Sequence, residues 1–305
     1  MDFFISLLSD PVGFWSSHTL LISQIGINGV LAVSMFLVLY SGQLSLAAPG
    51  FMAIGAYTSV LLEQKLQTPY ALGVVAALLL AGVVGFLVGL PVLRLRGVFL
   101  AIATIGFVEA IRLGVILNLP ITGEGLGLPN PNADPTAVAP ALVSLAVALF
   151  VVWRLTKGRI GHAWSAIRQD EIAALSQGIQ VARYRMIAFV LSALLAAYAG
   201  ALEAHLYFNI DPSDAQFGVT RSVQILTFAV LGGSGYVPGP VVGALLVTLF
   251  PYIFEGARDY INVVTGIFLI AVIVFRPQGI VGRGGLAIVR PAWWPRSRAS
   301  APSPG

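Results

Sequence analysis

The residue of this chain with the most nucleophile-like setting is a serine in a glycine-rich turn. Ser234 lies in the run Gly232-Gly233-Ser234-Gly235, a spacing that is also found in intramembrane serine proteases. Such a serine needs a base within hydrogen-bond reach, and those enzymes take a histidine from a later helix. The histidines of this chain are His18, His162 and His205, and all of them precede the serine. The pattern therefore does not predict a hydrolase.

The sequence also contains no motif typical of nucleotide binding or metal binding. The only lysines are Lys65 and Lys157, and neither is followed by the Ser or Thr of a phosphate-binding P-loop. The chain has no cysteine, and no cluster of His, Asp and Glu has metal-ligand spacing. We therefore predict a protein that is not an enzyme and holds no cofactor or metal. If ATP drives its work, the ATPase must be a separate subunit.

Ionisable side chains inside apolar stretches are few, and each is a functional hypothesis by default. Glu109 and Arg112 are spaced i, i+3 and can pair on one helix. Glu203 and His205 lie toward the end of another apolar stretch. We regard Glu109 as a candidate pathway residue. The alternatives are a structural ion pair for Glu109 with Arg112, and a position at the membrane interface for the other two.

The elements that carry these side chains are membrane spans. The chain is 57% hydrophobic and 10% charged, whereas soluble domains carry about 25% charged residues. A helix crosses the hydrocarbon with about 20 apolar residues. Candidate spans are 20–40, 45–63, 71–93, 98–117, 139–155, 186–208, 221–234, 237–255 and 260–276. The composition predicts an all-α polytopic membrane protein of about 8–9 segments, with 221–234 short enough to be a half-helix or re-entrant piece.

The distribution of basic residues predicts the orientation. Bases concentrate in the turn 94–97, in the loop 156–185 and after residue 276, whereas the loops 118–138 and 209–220 carry acids and no base. Since cytoplasmic segments are rich in Lys and Arg, we predict the N-terminus outside and the C-terminus inside. Topology and anionic membrane lipid explain the net charge of +4, so no nucleic-acid partner is predicted.

The predicted domain organisation is a single transmembrane domain, residues 1–290, with the cytoplasmic loop 156–185 inserted in it. The tail 291–305 is rich in Pro, Ser and Ala and contains Arg296 and Arg298. This composition is typical of a disordered basic extension.

Two breaks interrupt the apolar pattern. The first contains Gly42, Gln43 and Ser45, and the second contains Gly232, Gly233 and Ser234. Non-helical backbone at membrane depth is tolerated only inside the protein or beside a wet cavity. We therefore predict that these six residues line the pathway or its gates.

Small residues recur at helical spacing within the spans. Gly85 and Gly89 form one GxxxG pair, Gly239 and Gly243 form another, and the face of Ala193, Ala197 and Ala201 is also small. Such faces let membrane helices approach closely. They indicate either a tightly packed pathway or ordinary membrane packing.

A charged, helix-prone island stands between the apolar runs at 159–179. We predict that it is a helix in the cytoplasm that docks a partner, with Arg168 able to pair with Glu171 and with Gly178 ending the helix. The candidate docking residues are Arg159, Arg168, Asp170, Glu171, Ala174 and Gly178.

Four blocks of the chain together resemble a known family. They are 41–57, 94–104, 158–179 and 232–244, in the family's order along the chain. In the third block, Glu171, Ala173, Ala174 and Gly178 approximate the E-A-A-x-x-x-G core of importer permeases, with Ile172 inserted. The chain is similar to LivM-type permeases of branched-chain amino acid ABC importers. The resemblance implies the bacterial inner membrane, two ATP-binding cassette subunits, a LivH-like second permease and an extracytoplasmic solute-binding protein.

Two alternatives stay open at this point. Permeases of the same superfamily serve urea and amides, nucleosides or simple sugars, because in this family the binding protein selects the ligand. A self-sufficient secondary transporter or channel is the rival class. It would need an intramembrane relay of charges, for which Glu109 with Arg112 is the one candidate.

Overall fold

The chain folds into a bundle of apolar helices, seen in a computed structural model that describes residues 18–134, 136, 138–233, 235–253, 263 and 266. The α-helices are α1 (Thr19–Tyr40), α2 (Ala48–Leu66), α3 (Tyr70–Val92), α4 (Val98–Glu109), α5 (Val138–Lys157), α6 (Arg159–Gln169), α7 (Glu171–Ser176), α8 (Val181–Leu206), α9 (Asp214–Phe217), α10 (Val219–Gly232) and α11 (Gly239–Ile253). A π-helical turn, Ala110–Ile116, prolongs α4, and 3₁₀ turns cover Pro120–Thr122 and Glu124–Leu126. The strands β1 (Leu128–Pro129) and β2 (Asn209–Ile210) pair antiparallel.

The helical membrane fold predicted from hydropathy is confirmed. Within the described residues, five helices are long and apolar enough to cross a membrane: α1, α3, α4 with its π-helical extension, α5 and α8. The segment predicted as a half-helix is α10, whose 14 residues rise about 21 Å, less than the hydrocarbon thickness of about 30 Å. The tail 291–305 and nearly all of the span 260–276 lie outside the described residues, so the number of crossings stays a prediction.

Small residues hold α8 at the centre of the bundle, against α1, α2 and α3. A Cβ atom built on Gly55 of α2 would lie 1.9 Å from the carbonyl oxygen of Ala197, and one on Gly200 would lie 2.0 Å from the carbonyl oxygen of Met52. On α3, a Cβ atom on Gly85 would lie 3.1 Å from the Cβ of Ala193. The small faces predicted from the sequence therefore meet each other, and they set the distance between these helices.

The basic segments and the acidic loops lie at opposite ends of the bundle, as the distribution of charged residues predicted. At one end, Arg96 of the turn 94–97 pairs with Glu171, at 3.1 Å. At the other end β1 pairs with β2, which joins the two acidic loops. The basic turn and the docking segment therefore share one side of the bundle, and the acidic loops share the opposite side. Which side faces the cytoplasm stays a prediction from the charge distribution.

Candidate functional site

The docking segment, residues 159–178, is two helices and not the single helix predicted. The chain turns at Asp170, whose backbone is extended (φ −154°, ψ 112°). The Asp170 carboxylate accepts hydrogen bonds from the backbone N–H groups of Ile172 (2.9 Å) and Ala173 (3.1 Å). This is the geometry of an N-cap, which satisfies amide groups that a helix start leaves unpaired. Asp170 therefore ends α6 and starts α7.

Gly178 closes the docking segment as predicted. It follows the end of α7 with φ at +80°, a conformation that glycine adopts without the steric strain of a side chain. Arg159 is the first residue of α6 and is exposed. Trp164 anchors α6, because its side chain is fully buried and its indole N–H donates to the carbonyl oxygen of Tyr184, at 2.8 Å. The segment is thus fixed to α8.

Glu171 connects the docking segment to two membrane helices. Its carboxylate pairs with Arg185 in the first turn and a half of α8, at 3.0 Å, and with Arg96 after α3, at 3.1 Å. The Arg185 side chain is 14% exposed and that of Glu171 is 21% exposed, so water screens this pair only in part. The sequence predicted that Glu171 docks a partner and that Arg168 can pair with its carboxylate. The structure instead directs it inward, between Arg96 and Arg185.

The first break lies directly against the docking segment. Gly42 has φ +78°, and a Cβ atom built on it would lie 3.3 Å from the Cα of Arg168. Gln43 is buried, and its side-chain amide donates to the carbonyl oxygen of Arg185, at 3.0 Å. Gly42, Gln43, Arg96, Glu171 and Arg185 enclose an inner cavity of about 220 Å³. The break and the docking segment, which the sequence analysis treated separately, therefore form one site.

Neighbouring helices satisfy the irregular backbone of the first break. The N–H of Leu46 donates to the hydroxyl of Thr104, at 2.9 Å, and its carbonyl oxygen accepts from the hydroxyl of Ser222, at 3.1 Å. Ser45 is buried, and its hydroxyl accepts from the N–H of Ala47. The break is thus enclosed in protein, as the absence of water in a bilayer requires.

Two apolar side chains of α7 are exposed on the docking segment. Ile172 is 79% exposed and Leu175 is 52% exposed, and their i, i+3 spacing puts them on one side of α7. Ala174 instead packs inward with Ile167 and Val181. Among the candidate docking residues, Ala174 and Glu171 therefore make inward contacts that hold the segment in place. The sequence signal was an apolar i, i+3 pair within a polar segment.

The second break joins α10 to α11 in a tight hairpin. Gly233 has φ +103°, and a Cβ atom on Gly232 would lie 2.0 Å from the carbonyl oxygen of Gly239. A Cβ atom on Gly243 would lie 2.1 Å from the carbonyl oxygen of Phe228. The second GxxxG pair therefore brings the two helices into backbone contact. Ser234 lies outside the described residues.

A buried network of polar side chains fixes the start of the half-helix α10. Arg221 is 8% exposed and donates to Glu203 of α8 (3.1 Å), to Asn28 of α1 (3.0 Å) and to Gln224 (2.8 Å). Asn28 in turn donates to Thr248 of α11, at 2.9 Å. Glu203 was recognised from the sequence as an ionisable residue within an apolar stretch, but Arg221 was not. Arg221 stands at the edge of its predicted span, and Asn28 and Glu203 are distant from it in sequence.

The predicted pair of Glu109 with Arg112 is confirmed. The Arg112 guanidinium donates twice to one carboxylate oxygen of Glu109, at 3.0 and 2.7 Å. The π-helical turn begins directly after Glu109. The pair is partly exposed, at 18% for the Arg112 side chain and 24% for that of Glu109, and neither residue lines the inner cavity.

Comparison with known proteins gives one consistent result. A family model described as "Branched-chain amino acid transport system / permease component" matches residues 18–275. The chain is 34% identical to the high-affinity branched-chain amino acid transport system permease protein LivM of Salmonella typhimurium, over 86% of this chain and 67% of that protein. It is 33% identical to LivH of Escherichia coli K12, over 47% of this chain and 44% of that protein. It is 27% identical to the autoinducer 2 import system permease protein LsrC of Shigella flexneri, over 73% and 70%.

Proposed function

The chain belongs to the family of branched-chain amino acid transport system permease components, and from this premise we propose that it is one membrane subunit of an ATP-driven importer. Its partners in this proposal are two ATP-binding cassette subunits, a LivH-like second permease and an extracytoplasmic solute-binding protein. The cargo is a branched-chain amino acid. The location is the bacterial inner membrane, with the N-terminus outside and the docking segment in the cytoplasm.

The single observation that carries the proposal is the construction of the docking segment. It buries Trp164 and exposes Ile172 and Leu175, two apolar side chains that a subunit in water would cover. The sequence has no P-loop of its own, so energy from ATP must enter through a partner's contact with this chain. We assign that contact to α7.

The route from the docking segment into the membrane passes through Glu171. Movement of α7 displaces Arg96 and Arg185, because the Glu171 carboxylate pairs with both guanidinium groups. The backbone carbonyl oxygen of Arg185 also accepts a hydrogen bond from the side-chain amide of Gln43. Displacement of α8 would therefore move the first break as well. We propose that Gly42, Gln43 and Ser45 form the inner gate and that Glu171 is the positioning residue that couples α7 to it.

The second break belongs to the pathway in the same proposal. The hairpin at Gly232 and Gly233 joins two helices, of which α10 is too short to span the membrane and is held at its start by Arg221. A short helix fixed at one end by a buried ion pair can move as a rigid piece. Glu109 stays a candidate, although its partnership with Arg112 neutralises it and gives no support to a proton relay.

Replacing Glu171 with Lys is expected to uncouple ATP hydrolysis from uptake. Three cations would then meet where the structure holds one carboxylate between two guanidinium groups, so α7 would lose its ion pairs with Arg96 and Arg185 and keep only its apolar contact with α8. Coupled uptake in vesicles that contain all subunits should fall at least about tenfold, which corresponds to about 1.4 kcal/mol. Ligand binding to the solute-binding protein should not change.

The matched control is the charge-reversed pair, Glu171→Lys with Arg185→Glu. It restores one ion pair across the same gap and should recover part of the uptake that Glu171→Lys loses. A structural role alone would lower assembly and uptake together, so the decisive quantity is uptake per ATP hydrolysed. Normal coupling in Glu171→Lys would refute the assignment of this residue.

Leucine at position 42 is expected to impair coupling while the complex still assembles. The Cβ atom would press on the Cα of Arg168, at 3.3 Å, and the positive φ of +78° adds backbone strain. Gly97→Leu is the matched control, since Gly97 also has a positive φ (+56°) but has nothing within 4 Å of the built Cβ. Uptake should fall several-fold further in Gly42→Leu than in Gly97→Leu. Equal losses would show that strain matters and the contact with Arg168 does not.

A further inference from the structure

A second cavity opens at the opposite end of the bundle, where the acidic loops lie. This outer cavity has a volume of about 210 Å³ and lies among the ends of α1, α2, α3, α5 and α8. Its polar lining comes from Ser23, Glu63, Tyr70, Asn132, Asp134 and His205. Its size suits a molecule of the bulk of a branched-chain amino acid, and nothing in the coupling route described above uses it.

The floor of the outer cavity carries a polar atom without a partner. The hydroxyl of Ser23 is fully buried and has no hydrogen-bond partner among the described residues. A buried hydroxyl without a partner costs free energy, so such atoms mark places where a ligand or water completes the structure. Beside it the wall is aliphatic, formed by Ile27, Ala141 and Leu202.

Glu63 and His205 pair with each other in the wall of the outer cavity. One imidazole nitrogen faces the carbonyl oxygen of Ala201 at 2.8 Å, and the other faces a carboxylate oxygen of Glu63 at 2.7 Å. Each imidazole nitrogen therefore has a partner within the protein, and His205 has no nitrogen left for an anionic ligand.

Asp134 supplies the remaining charge, at the mouth of the outer cavity. The side chain and the backbone N–H of Thr136 both donate to it, and these hydrogen bonds hold the pKa of the Asp134 carboxyl below its ordinary value. Asp134 is therefore ionised at neutral pH. The described residues that line the outer cavity thus include two carboxyl side chains, Glu63 and Asp134, and no Lys or Arg.

We infer that the outer cavity binds an aliphatic primary ammonium compound, with the ammonium group held by Asp134, Ser23 and Glu63 and the apolar tail against Ile27 and Leu202. A branched-chain amino acid belongs to this class, and its carboxylate would point out of the mouth, because the described lining residues include no Lys or Arg and both nitrogens of His205 already have partners. The inference rests on the proposed function only for the identity of the natural ligand. The outer cavity would then be a holding site for substrate after its release from the solute-binding protein.

The test is direct binding to the purified complex in nanodiscs, without ATP and without the solute-binding protein. Three probes share one carbon skeleton: leucine, isoamylamine, which lacks the carboxylate, and 4-methylpentanoate, which lacks the amine. Leucine and isoamylamine should bind and 4-methylpentanoate should not. Binding of 4-methylpentanoate as tight as that of isoamylamine, or no binding of isoamylamine, would overturn the inference.

Variants then locate the bound probe. Asp134→Asn keeps the shape of an exposed side chain and should weaken isoamylamine binding about fivefold, the effect of one exposed ion pair. Ser23→Leu fills the floor and should abolish binding. Asp211→Asn removes an exposed carboxylate at the same end of the bundle but outside the outer cavity, and should change nothing. Equal binding in Asp134→Asn and wild type would also overturn the inference.

The outcomes separate this inference from the proposed function. Coupled uptake by the wild-type complex without measurable amine binding removes the holding site and leaves the importer assignment intact. Amine binding by a complex that never couples uptake to ATP removes the importer assignment and leaves the site.

Discussion

Leucine at position 55 or 200 is expected to leave little folded protein. The built Cβ atoms on these glycines lie 1.9 and 2.0 Å from backbone carbonyl oxygens of the facing helix. Backbone atoms cannot rotate away as a side chain can, so α2 and α8 would have to separate along their whole contact. Overpacking usually costs about 1–3 kcal/mol, and we expect each substitution to reach at least the upper value. The measurement is the yield and melting temperature of monodisperse protein in detergent.

Gly106→Leu is the matched control for these two substitutions. Gly106 is also a helical glycine, in α4, but a Cβ atom built on it has nothing within 4 Å. Its replacement should leave yield and melting temperature close to those of the wild type. If all three variants behaved alike, the separation of α2 and α8 would not depend on these glycines and the packing account would be wrong.

Removing one member of the buried pair Arg221–Glu203 is expected to be the most damaging change of charge. Arg221→Met would leave Glu203, whose side chain is 7% exposed, with the amide of Gln216 at 3.4 Å in place of its ion pair. Breaking a buried pair in this way costs about 3–5 kcal/mol, whereas replacing both members with apolar residues is often neutral. The double change Arg221→Met with Glu203→Met should therefore recover the melting temperature that the single change loses.

Measuring uptake by the double variant distinguishes a structural role of the Arg221–Glu203 pair from a role in transport. If the pair fixes α10 for transport, the double variant should fold and still transport poorly. Arg112→Met is the comparison, because the pair of Arg112 with Glu109 is more exposed and its loss should cost about 1 kcal/mol or less. A double variant that is as unstable as Arg221→Met would contradict the assignment of the loss to an unpaired buried charge.

Local patterns in the sequence were enough to predict the helices. Hydropathy located α1, α3 and α5 within a few residues, since an apolar run of about 20 residues has few alternatives in a bilayer. The length of the apolar run also identified α10 as too short to cross. Small residues at i, i+4 spacing marked the face of α8 that contacts α2, because close approach is the use of such faces in membranes.

Partnerships between distant residues could not be predicted in the same way. Glu171 was expected to pair with Arg168 on its own helix, whereas its ion pairs are with Arg96 and Arg185, contributed by other elements. Arg221 donates a hydrogen bond to Asn28, which lies 193 positions earlier in the sequence. No periodicity in the sequence encodes such pairs, which exist only once the helices have packed.

The turn at Asp170 could have been predicted. An Asp followed by a run of helix-forming residues is a frequent N-cap, and its carboxylate here receives the N–H groups of Ile172 and Ala173. A single helix was predicted because helix-forming residues stand on both sides of Asp170, and the E-A-A-x-x-x-G pattern of importer permeases follows directly after it. The same turn leaves Ile172, which looked like an insertion in that pattern, 79% exposed in the first turn of α7.

A cysteine at position 172 tests most directly whether α7 contacts an ATPase subunit in the cytoplasm. The chain has no cysteine, so Ile172→Cys provides one thiol on a side chain that is 79% exposed. Leu126→Cys is the matched control, at 90% exposure on the loop predicted to lie outside. In the assembled complex, the thiol at 172 should cross-link to the ATPase subunit, and the thiol at 126 should react with impermeant reagents added to intact cells. Labelling of position 172 from outside, or an ATPase cross-link from position 126, would contradict the account.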